Sequence, residues 1–214
     1  MRRSALICAL LLTAGGIVDA QTVVTRGTNL NVDVSAVDGT VAMDLLGRIW
    51  TLRPNGGVAS QIVEPALPAR RPRWSPDGRS ILFQAAAAGT SQLWIVDVAS
   101  GQQRHAHSSD AFDQHGDWHP QGERIVYSSA RGDDGLDIWE TDLRTGLQWR
   151  LTDRPGDETE PAWSANGRHL AYVLHEAGRW SLMLRRFGRP DTALVSADMP
   201  IAAPSWRPDG TLIT

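Results

Sequence analysis

The sequence contains no lysine and only one cysteine. All 21 basic residues among its 214 are arginines. Schiff-base catalysis, a phosphate-loop lysine and a metal bridged by a carbamylated lysine are therefore excluded within these residues. Cys8 lies in the apolar run near the N-terminus. Once that run is removed, the chain can form neither a disulfide nor a cysteine zinc site, so its hydrophobic core must hold it together.

Helical periodicity is also missing after the first twenty residues. The gaps between apolar segments are too short, and too rich in Gly, Asp and Ser, to hold the crossover helices of a parallel sheet. With 42% hydrophobic residues, the chain has enough apolar side chains for one compact domain. The sequence therefore predicts an all-β fold.

The N-terminus is typical of a secretory signal peptide. Arg2 and Arg3 precede an apolar run from Ala5 to Leu12, and small residues lead to Ala20. We expect residues 1–20 to be cleaved, giving a periplasmic or secreted protein without a membrane span, because the run is too short to cross a bilayer as a helix. Losing two Arg and one Asp changes the formal charge from −3 to −4. This acidic balance does not favour nucleic acid as a partner.

One turn recurs along the rest of the chain. Arg73-Trp74-Ser75-Pro76-Asp77-Gly78 combines a strand end with residues typical of a tight hairpin turn. Its glycine has counterparts at spacings of 39, 44, 45 and 43, and we place the first turn at Ala36–Gly39. The tryptophan recurs at spacings of 44, 45 and 43. The glycines of the series are Gly39, Gly78, Gly122, Gly167 and Gly210, and the tryptophans are Trp74, Trp118, Trp163 and Trp206.

Each repeat contains four short strands. An apolar strand follows the turn, a second follows a variable loop, and a short strand closes the unit after another glycine turn. Four strands per unit of about 40–45 residues predict a β-propeller with antiparallel four-stranded blades. We predict about four blades and the start of a fifth, an incomplete ring, in a domain spanning 21–214 with blades at 29–65, 66–110, 111–154, 155–198 and 199–214.

These repeats resemble a known family. Pro72–Gly78 with Leu93–Asp97, and Pro161–Ser164, are similar to the blades of TolB-like β-propellers. Within that group, Thr28–Ser35 and Asp44–Trp50 resemble the propeller that precedes a metal-dependent amidohydrolase domain in exported bacterial proteins. The resemblance implies a non-catalytic module that binds a protein or peptide partner, or its own downstream domain. It also implies no cofactor within these residues and a divalent metal only in a domain beyond them.

Two other functions stay open. One is a free-standing periplasmic interaction protein of the Tol-Pal type, and the other is the propeller of a prolyl-oligopeptidase-like serine peptidase. Because the repeats stop within a blade at Thr214, we expect the sequence to be a fragment of a longer protein.

Few residues suggest a catalytic or metal-binding role within the chain, and we predict no set of catalytic residues. Four histidines near Asp110, Asp113 and Asp117 are the strongest candidates for a metal site: His105, His107, His115 and His119. Because they fall in the connection between the second and third blades, where polar residues are expected anyway, we favour a structural role.

Three further groups have competing interpretations. Ser75 and Ser164 belong to the turn repeat and lack a nucleophile elbow, so we do not predict a serine hydrolase. The acidic run Asp157–Glu160 could face the central channel and bind a cation, but we favour a solvated loop. We predict that the recurring tryptophans pack between blades, whereas Trp149 and Trp180 lie outside the two recurring series and are the better surface candidates.

Overall fold

A computed structural model describes residues 30–63, 68–87, 89–132, 135–207 and 209–214. Within these ranges every regular element is a β-strand, and no helix is long and apolar enough to cross a membrane. The predicted signal peptide lies outside the described residues. The strands are β1 Val32–Val34, β2 Val41–Leu45, β3 Arg48–Leu52, β4 Ser60–Gln61, β5 Ala69–Trp74, β6 Ser80–Ala87, β7 Thr90–Asp97, β8 Gln103–His105, β9 Asp113–Trp118, β10 Arg124–Ser129, β11 Asp137–Asp142, β12 Gln148–Arg150, β13 Asp157–Trp163, β14 His169–Glu176, β15 Arg179–Arg186, β16 Thr192–Ala197, β17 Ser205–Trp206 and β18 Leu212–Ile213.

The strands form four antiparallel sheets and one hairpin. Each sheet takes four consecutive strands in chain order, β1–β4, β5–β8, β9–β12 and β13–β16, and β17 pairs with β18. We call these sheets blades 1 to 4. The first strand of each blade contacts the first strand of the next, so these strands line a common centre. The arrangement is an unclosed β-propeller, which confirms the predicted fold class.

The second strand of each inner blade is apolar on both faces because a neighbouring blade packs on each side. In blade 2, Ile81 and Phe83 pack towards blade 1, whereas Leu82 packs towards blade 3. All three side chains are buried. This arrangement explains why the sequence shows continuous apolar runs here instead of an alternating pattern.

Three hydrophobic clusters hold the blades together, one at each interface. Trp74, Trp118 and Trp163 are 8%, 8% and 6% exposed, and each packs in the cluster shared with the preceding blade. The indole of Trp118 also donates to the carbonyl of Arg73 at 3.0 Å, and that of Trp206 to Ala162 at 2.9 Å. The predicted packing role of this series is confirmed.

The recurring turn is a hydrogen-bonded β-turn in four repeats. In the second, the Gly78 amide donates to the Ser75 carbonyl at 2.9 Å, and φ of Gly78 is +68°. The first repeat differs from our prediction, because the Gly39 amide donates to Ser35, four residues back. That turn therefore starts at Ser35 and not at Ala36, and its glycine sits one position later.

Candidate functional site

The first strand of each of blades 2 to 4 contains a bulge at the centre of the molecule. The pairing register shifts beside Arg71, His115 and Glu160, and each of these residues has a left-handed backbone, with φ of 53°, 57° and 53°. Ala203 adopts the same conformation ahead of β17. A bulge reorients the side chain that it carries, and all four residues lie three positions before a tryptophan of the repeat.

Two of these bulges are each held by a side chain from the second strand of the preceding blade. The carboxylate of Asp44, in blade 1, accepts the amide of Arg71 at 2.8 Å and two bonds from Asn31 at 2.9 and 2.8 Å. In blade 2, Gln84 Oε1 accepts the amide of His115 at 3.2 Å. Each bulge is therefore fixed by a side chain that crosses the blade interface.

Together these residues surround an opening of about 300 Å³. Its lining includes one equivalent residue from each of the five repeats, together with Arg73 and Ser205; the equivalent residues are Asn31, Arg71, His115, Glu160 and Ala203. We call this opening the channel entrance. It is concave and presents different chemistry from each blade, as ligand sites commonly do.

An ion pair crosses the channel entrance. Arg71 Nη2 of blade 2 lies 3.2 Å from Glu160 Oε1 of blade 4, and the other oxygen of Glu160 accepts the amide of Ala203. Burial, and then the positive charge of Arg71, lower the pKa of His115 to about 4, although Glu160 opposes this effect. Because Arg73 also lines the opening, the site offers two arginines, one carboxylate and an imidazole that is neutral at neutral pH.

The acidic run 157–160 is not a solvated loop, and our preferred interpretation of it was wrong. These residues begin strand β13, where Glu160 lines the channel entrance and Glu158 is fully buried. Glu158 lies at the interface with blade 3, where burial raises its pKa to about 7.

The four candidate histidines lie in different surroundings. The His105 ring packs against Trp94 at a tilt of 36°, with ring centres 3.8 Å apart, and His119 meets the edge of Trp163 at 4.7 Å. His107 bonds to Asp113, and His115 is at the channel entrance. Among the described residues, no three His, Cys, Asp or Glu side chains come close enough together to hold a metal ion.

A polar network joins the end of blade 2 to blade 3. His107 Nε2 lies 2.9 Å from Asp113 Oδ2, and the imidazole stacks on Tyr127 at 4.4 Å. The Arg131 guanidinium lies 5.0 Å from the centre of the Trp139 ring. Burial raises the pKa of Asp113, but hydrogen bonds, first from His107, outweigh burial and hold that pKa below its usual value. The network fixes the loop between the blades.

A second hollow, of about 550 Å³, lies between turns of blades 2 and 3. Pro76, Trp118 and Leu143 supply its apolar lining, and Arg104 and Arg144 stand among its polar groups. The serine of its turn, Ser75, accepts the amide of Ser80 at 2.9 Å, and Ser164 accepts that of His169 in the same way. Both serines thus serve the turn, as the repeat predicted.

Comparison with known proteins identifies the repeat. The sequence profile of the TolB beta propeller domain matches residues 50–214, which is most of the chain. The chain belongs to the TolB β-propeller family. An uncharacterized protein of Agrobacterium fabrum is 24% identical to it over 171 residues, which cover 74% of this chain and 58% of that relative. The chain thus spans little more than half the length of this curated relative.

Solved TolB structures share the fold. A protein assigned as TolB from Agrobacterium tumefaciens superposes with a TM-score of 0.74 at 21% identity, covering 85% of this chain and 71% of that one. TolB from Acinetobacter baumannii gives a TM-score of 0.73 at 21% identity, covering 85% and 47%. At this identity the likeness shows the TolB-type fold alone.

Sequence reasoning did not find the channel entrance of this TolB-type propeller. Arg71 was missed altogether, His115 was considered only as a metal ligand, and Glu160 only as part of an acidic run. A signal was present, because three of the four left-handed residues stand directly before proline and the other before glycine: Arg71-Pro72, Glu160-Pro161, Ala203-Pro204 and His115-Gly116.

Proposed function

We propose that this TolB-type propeller is a non-catalytic binding module that captures a segment of protein or peptide at the channel entrance. The observation that carries the proposal is that five residues at the same repeat position differ in chemistry: Asn31, Arg71, His115, Glu160 and Ala203. These residues occupy one position in five repeats, yet they differ in charge and size around a single opening. A position that only packed the fold would favour one residue type, as the tryptophan position does.

A peptide matches the chemistry of this opening better than a single small ion does. The ion pair of Arg71 and Glu160 offers both a donor and an acceptor, 3.2 Å apart, to groups such as a peptide amide. The neutral imidazole of His115 can add a further uncharged hydrogen bond. TolB-like propellers commonly bind proteins, and this supports the same class of ligand.

Selection from a random peptide display library, followed by calorimetry, tests the binding site. We expect selected peptides to bind the protein, and Arg71→Gln or Glu160→Gln to weaken their binding at least tenfold. The control is Arg104→Gln, which removes a cation from the hollow between the turns and should leave the affinity unchanged. Peptides that depend on Arg104 but not on Arg71 or Glu160 would place the site elsewhere.

The identity of the whole protein that contains this module is a separate proposal. The resemblance of Thr28–Ser35 and Asp44–Trp50 supports an accessory propeller at the N-terminus of an amidohydrolase. The alternatives are a free-standing Tol-Pal type interaction protein and a serine-peptidase propeller. Reading the gene beyond codon 214 separates them: a His-x-His barrel signature supports the amidohydrolase, a Gly-x-Ser-x-Gly elbow the peptidase, and a stop codon after the last blade the interaction protein.

Export to the periplasm also belongs to this proposal. It rests on Arg2-Arg3, the apolar run that follows them and the small residues up to Ala20. N-terminal sequencing of the protein recovered from a periplasmic fraction should begin at Gln21. Recovery from the cytoplasm with its N-terminus intact would contradict export.

A further inference from the structure

We infer that the hollow between the turns of blades 2 and 3, which we call the turn hollow, binds a neutral saccharide. Its volume of about 550 Å³ lies within the range of small-molecule sites. Among the described residues, none lines both the turn hollow and the channel entrance. Both blades that form the turn hollow are four-stranded sheets packed against each other. It is therefore a second candidate site, separate from the first.

The next blade interface shows why the turn hollow is open. Between blades 3 and 4, two rings occupy the equivalent space. His119, the counterpart of Ser75, meets the edge of Trp163 at 4.7 Å, and Phe187 stacks on the same indole at 5.4 Å. Leu143 is the counterpart of Phe187, since each directly follows the third strand of its blade. Because Ser75 and Leu143 are smaller than the residues that they replace, the space between blades 2 and 3 stays open.

The open space is also rimmed by charged residues that the next interface lacks. Arg104 takes the place of Trp149 on the fourth strand, and Arg144 takes the place of Gly188 in the following turn. Neither arginine forms an ion pair with any residue in the described part of the chain. Both guanidinium groups can therefore donate hydrogen bonds to a ligand.

The charges around the turn hollow are balanced. The two arginines are matched by the carboxylates of Asp77 and Glu123. A ligand with a single charge would meet both signs and gain little net attraction. A hydroxyl group, in contrast, can accept a hydrogen bond from a guanidinium and donate one to a carboxylate. The balance thus favours an uncharged ligand that carries several hydroxyls.

The remaining lining suits the carbon skeleton of such a ligand. Pro76 and Leu143 are apolar, and Trp118 lies between them in the lining. Because the Trp118 indole N–H already donates to the carbonyl of Arg73 at 3.0 Å, the indole can offer a ligand only its carbon atoms. A sugar ring has C–H groups on its faces and hydroxyls around its edge. It therefore matches both parts of the lining, which neither a simple anion nor a purely apolar molecule does.

Saturation-transfer nuclear magnetic resonance with the purified protein tests this inference. The probes are glucose, N-acetylglucosamine, maltose, cellobiose and N,N′-diacetylchitobiose, with glucuronic acid as the charged counterpart of glucose. We expect at least one neutral sugar to bind, with a dissociation constant of roughly 0.1–1 mM because the site is open.

Two variants assign the binding to the turn hollow. Leu143→Phe copies the residue of the next interface and should abolish binding by filling the space. Arg144→Gln should weaken it about tenfold by removing a charged donor. The matched control is Arg71→Gln at the channel entrance, which should leave sugar binding unchanged. If Leu143→Phe lowers the melting temperature, Arg144→Gln carries the test, because Arg144 is exposed and its replacement should not affect folding.

Three results would overturn the inference. The first is that none of the neutral sugars binds. The second is binding that survives both Leu143→Phe and Arg144→Gln, which would place the sugar elsewhere. The third is glucuronic acid binding more tightly than every neutral sugar, because this would indicate an anion site. The peptide-binding proposal does not depend on the outcome, since it rests on the residues of the channel entrance.

Discussion

The glycine shared by the recurring turns has two roles at the level of the residue. Its positive φ closes the turn in every repeat, and in two repeats its missing side chain also leaves room for the preceding blade. A Cβ atom on Gly78 would lie 3.1 Å from Val37 Cγ2, and one on Gly167 would lie 2.9 Å from His119 Nε2. In these two repeats the turn of one blade thus rests on the turn of the preceding blade. A Cβ on Gly122 would have room and one on Gly210 would meet no atom within 4 Å, so there the positive φ alone calls for glycine.

Gly167→Ala should therefore cost more stability than an alanine in an equally left-handed but open turn. We expect a loss of about 2–3 kcal/mol from backbone strain plus the contact with His119. Gly101→Ala is the matched control, because its φ is +70° and no atom lies within 4 Å of the point that its Cβ would occupy; it should lose about 1 kcal/mol. Denaturant melts measure both. Equal losses would show that the contact between turns contributes nothing.

Glu158 gives a prediction about pH. Because burial raises its pKa to about 7 in the folded protein, from an ordinary value of 4.5, the folded state holds a proton that the unfolded chain releases between those values. The penalty for ionising Glu158 is therefore absent near pH 4.5 and complete above pH 7. Glu158→Gln should raise stability by about 1–3 kcal/mol at pH 8.5 and have little effect at pH 5.

The native protein must be compared with Glu158→Gln because the pKa of other groups shifts in the opposite direction. Burial lowers the pKa of His119 to about 4, so its contribution to stability rises with pH between 4 and 6.5. Thermal melts of native protein and Glu158→Gln at both pH values isolate the glutamate. A stability difference that is the same at pH 5 and pH 8.5 would contradict the raised pKa.

At the level of strands and turns, some features of the fold could be predicted from the sequence and others could not. The positions of tryptophan and glycine were sufficient to predict the four-stranded blades, because packing between blades and tight turns demand particular residue types. The first turn was misplaced by one residue, since Ser35 carries the role of Ser75 while the glycine is shifted, and only the hydrogen bonds distinguish the two positions. The channel entrance was missed because the bulge residue differs from repeat to repeat, being Arg, His, Glu or Ala, and the signal lies only in the proline or glycine that follows it.

The first blade depends on one buried carboxylate. Asp44 is 5% exposed and accepts three hydrogen bonds, including the amide of Arg71 in blade 2. Asp44→Ala should cost about 2–4 kcal/mol, since it leaves these donors without their acceptor. Asp38→Ala is the control, because Asp38 also accepts bonds, from Thr40, but is exposed, and we expect a clearly smaller loss than for Asp44→Ala. Chemical denaturation measures both, and similar losses would show that Asp44 does not join the blades.

At the scale of the whole molecule, the repeats that stabilise the fold also determine where a ligand can bind. Each interface buries its own hydrophobic cluster, so the blades are joined in series and their first strands meet at one centre. The packing positions are nearly uniform between repeats, whereas the central position varies from blade to blade. Because a propeller scaffold supports many functions, this variation, and not the fold, carries the functional proposal.

Nuclear magnetic resonance of the histidine rings tests that proposal most directly. His115 lines the channel entrance, whereas His169 stacks beside Trp206 away from it, with ring centres 6.1 Å apart. Titration with a selected peptide should shift the ring signals of His115, assigned with His115→Gln, and leave those of His169 unchanged. Saturable binding without any shift of His115 would contradict the conclusion that the channel entrance is the binding site.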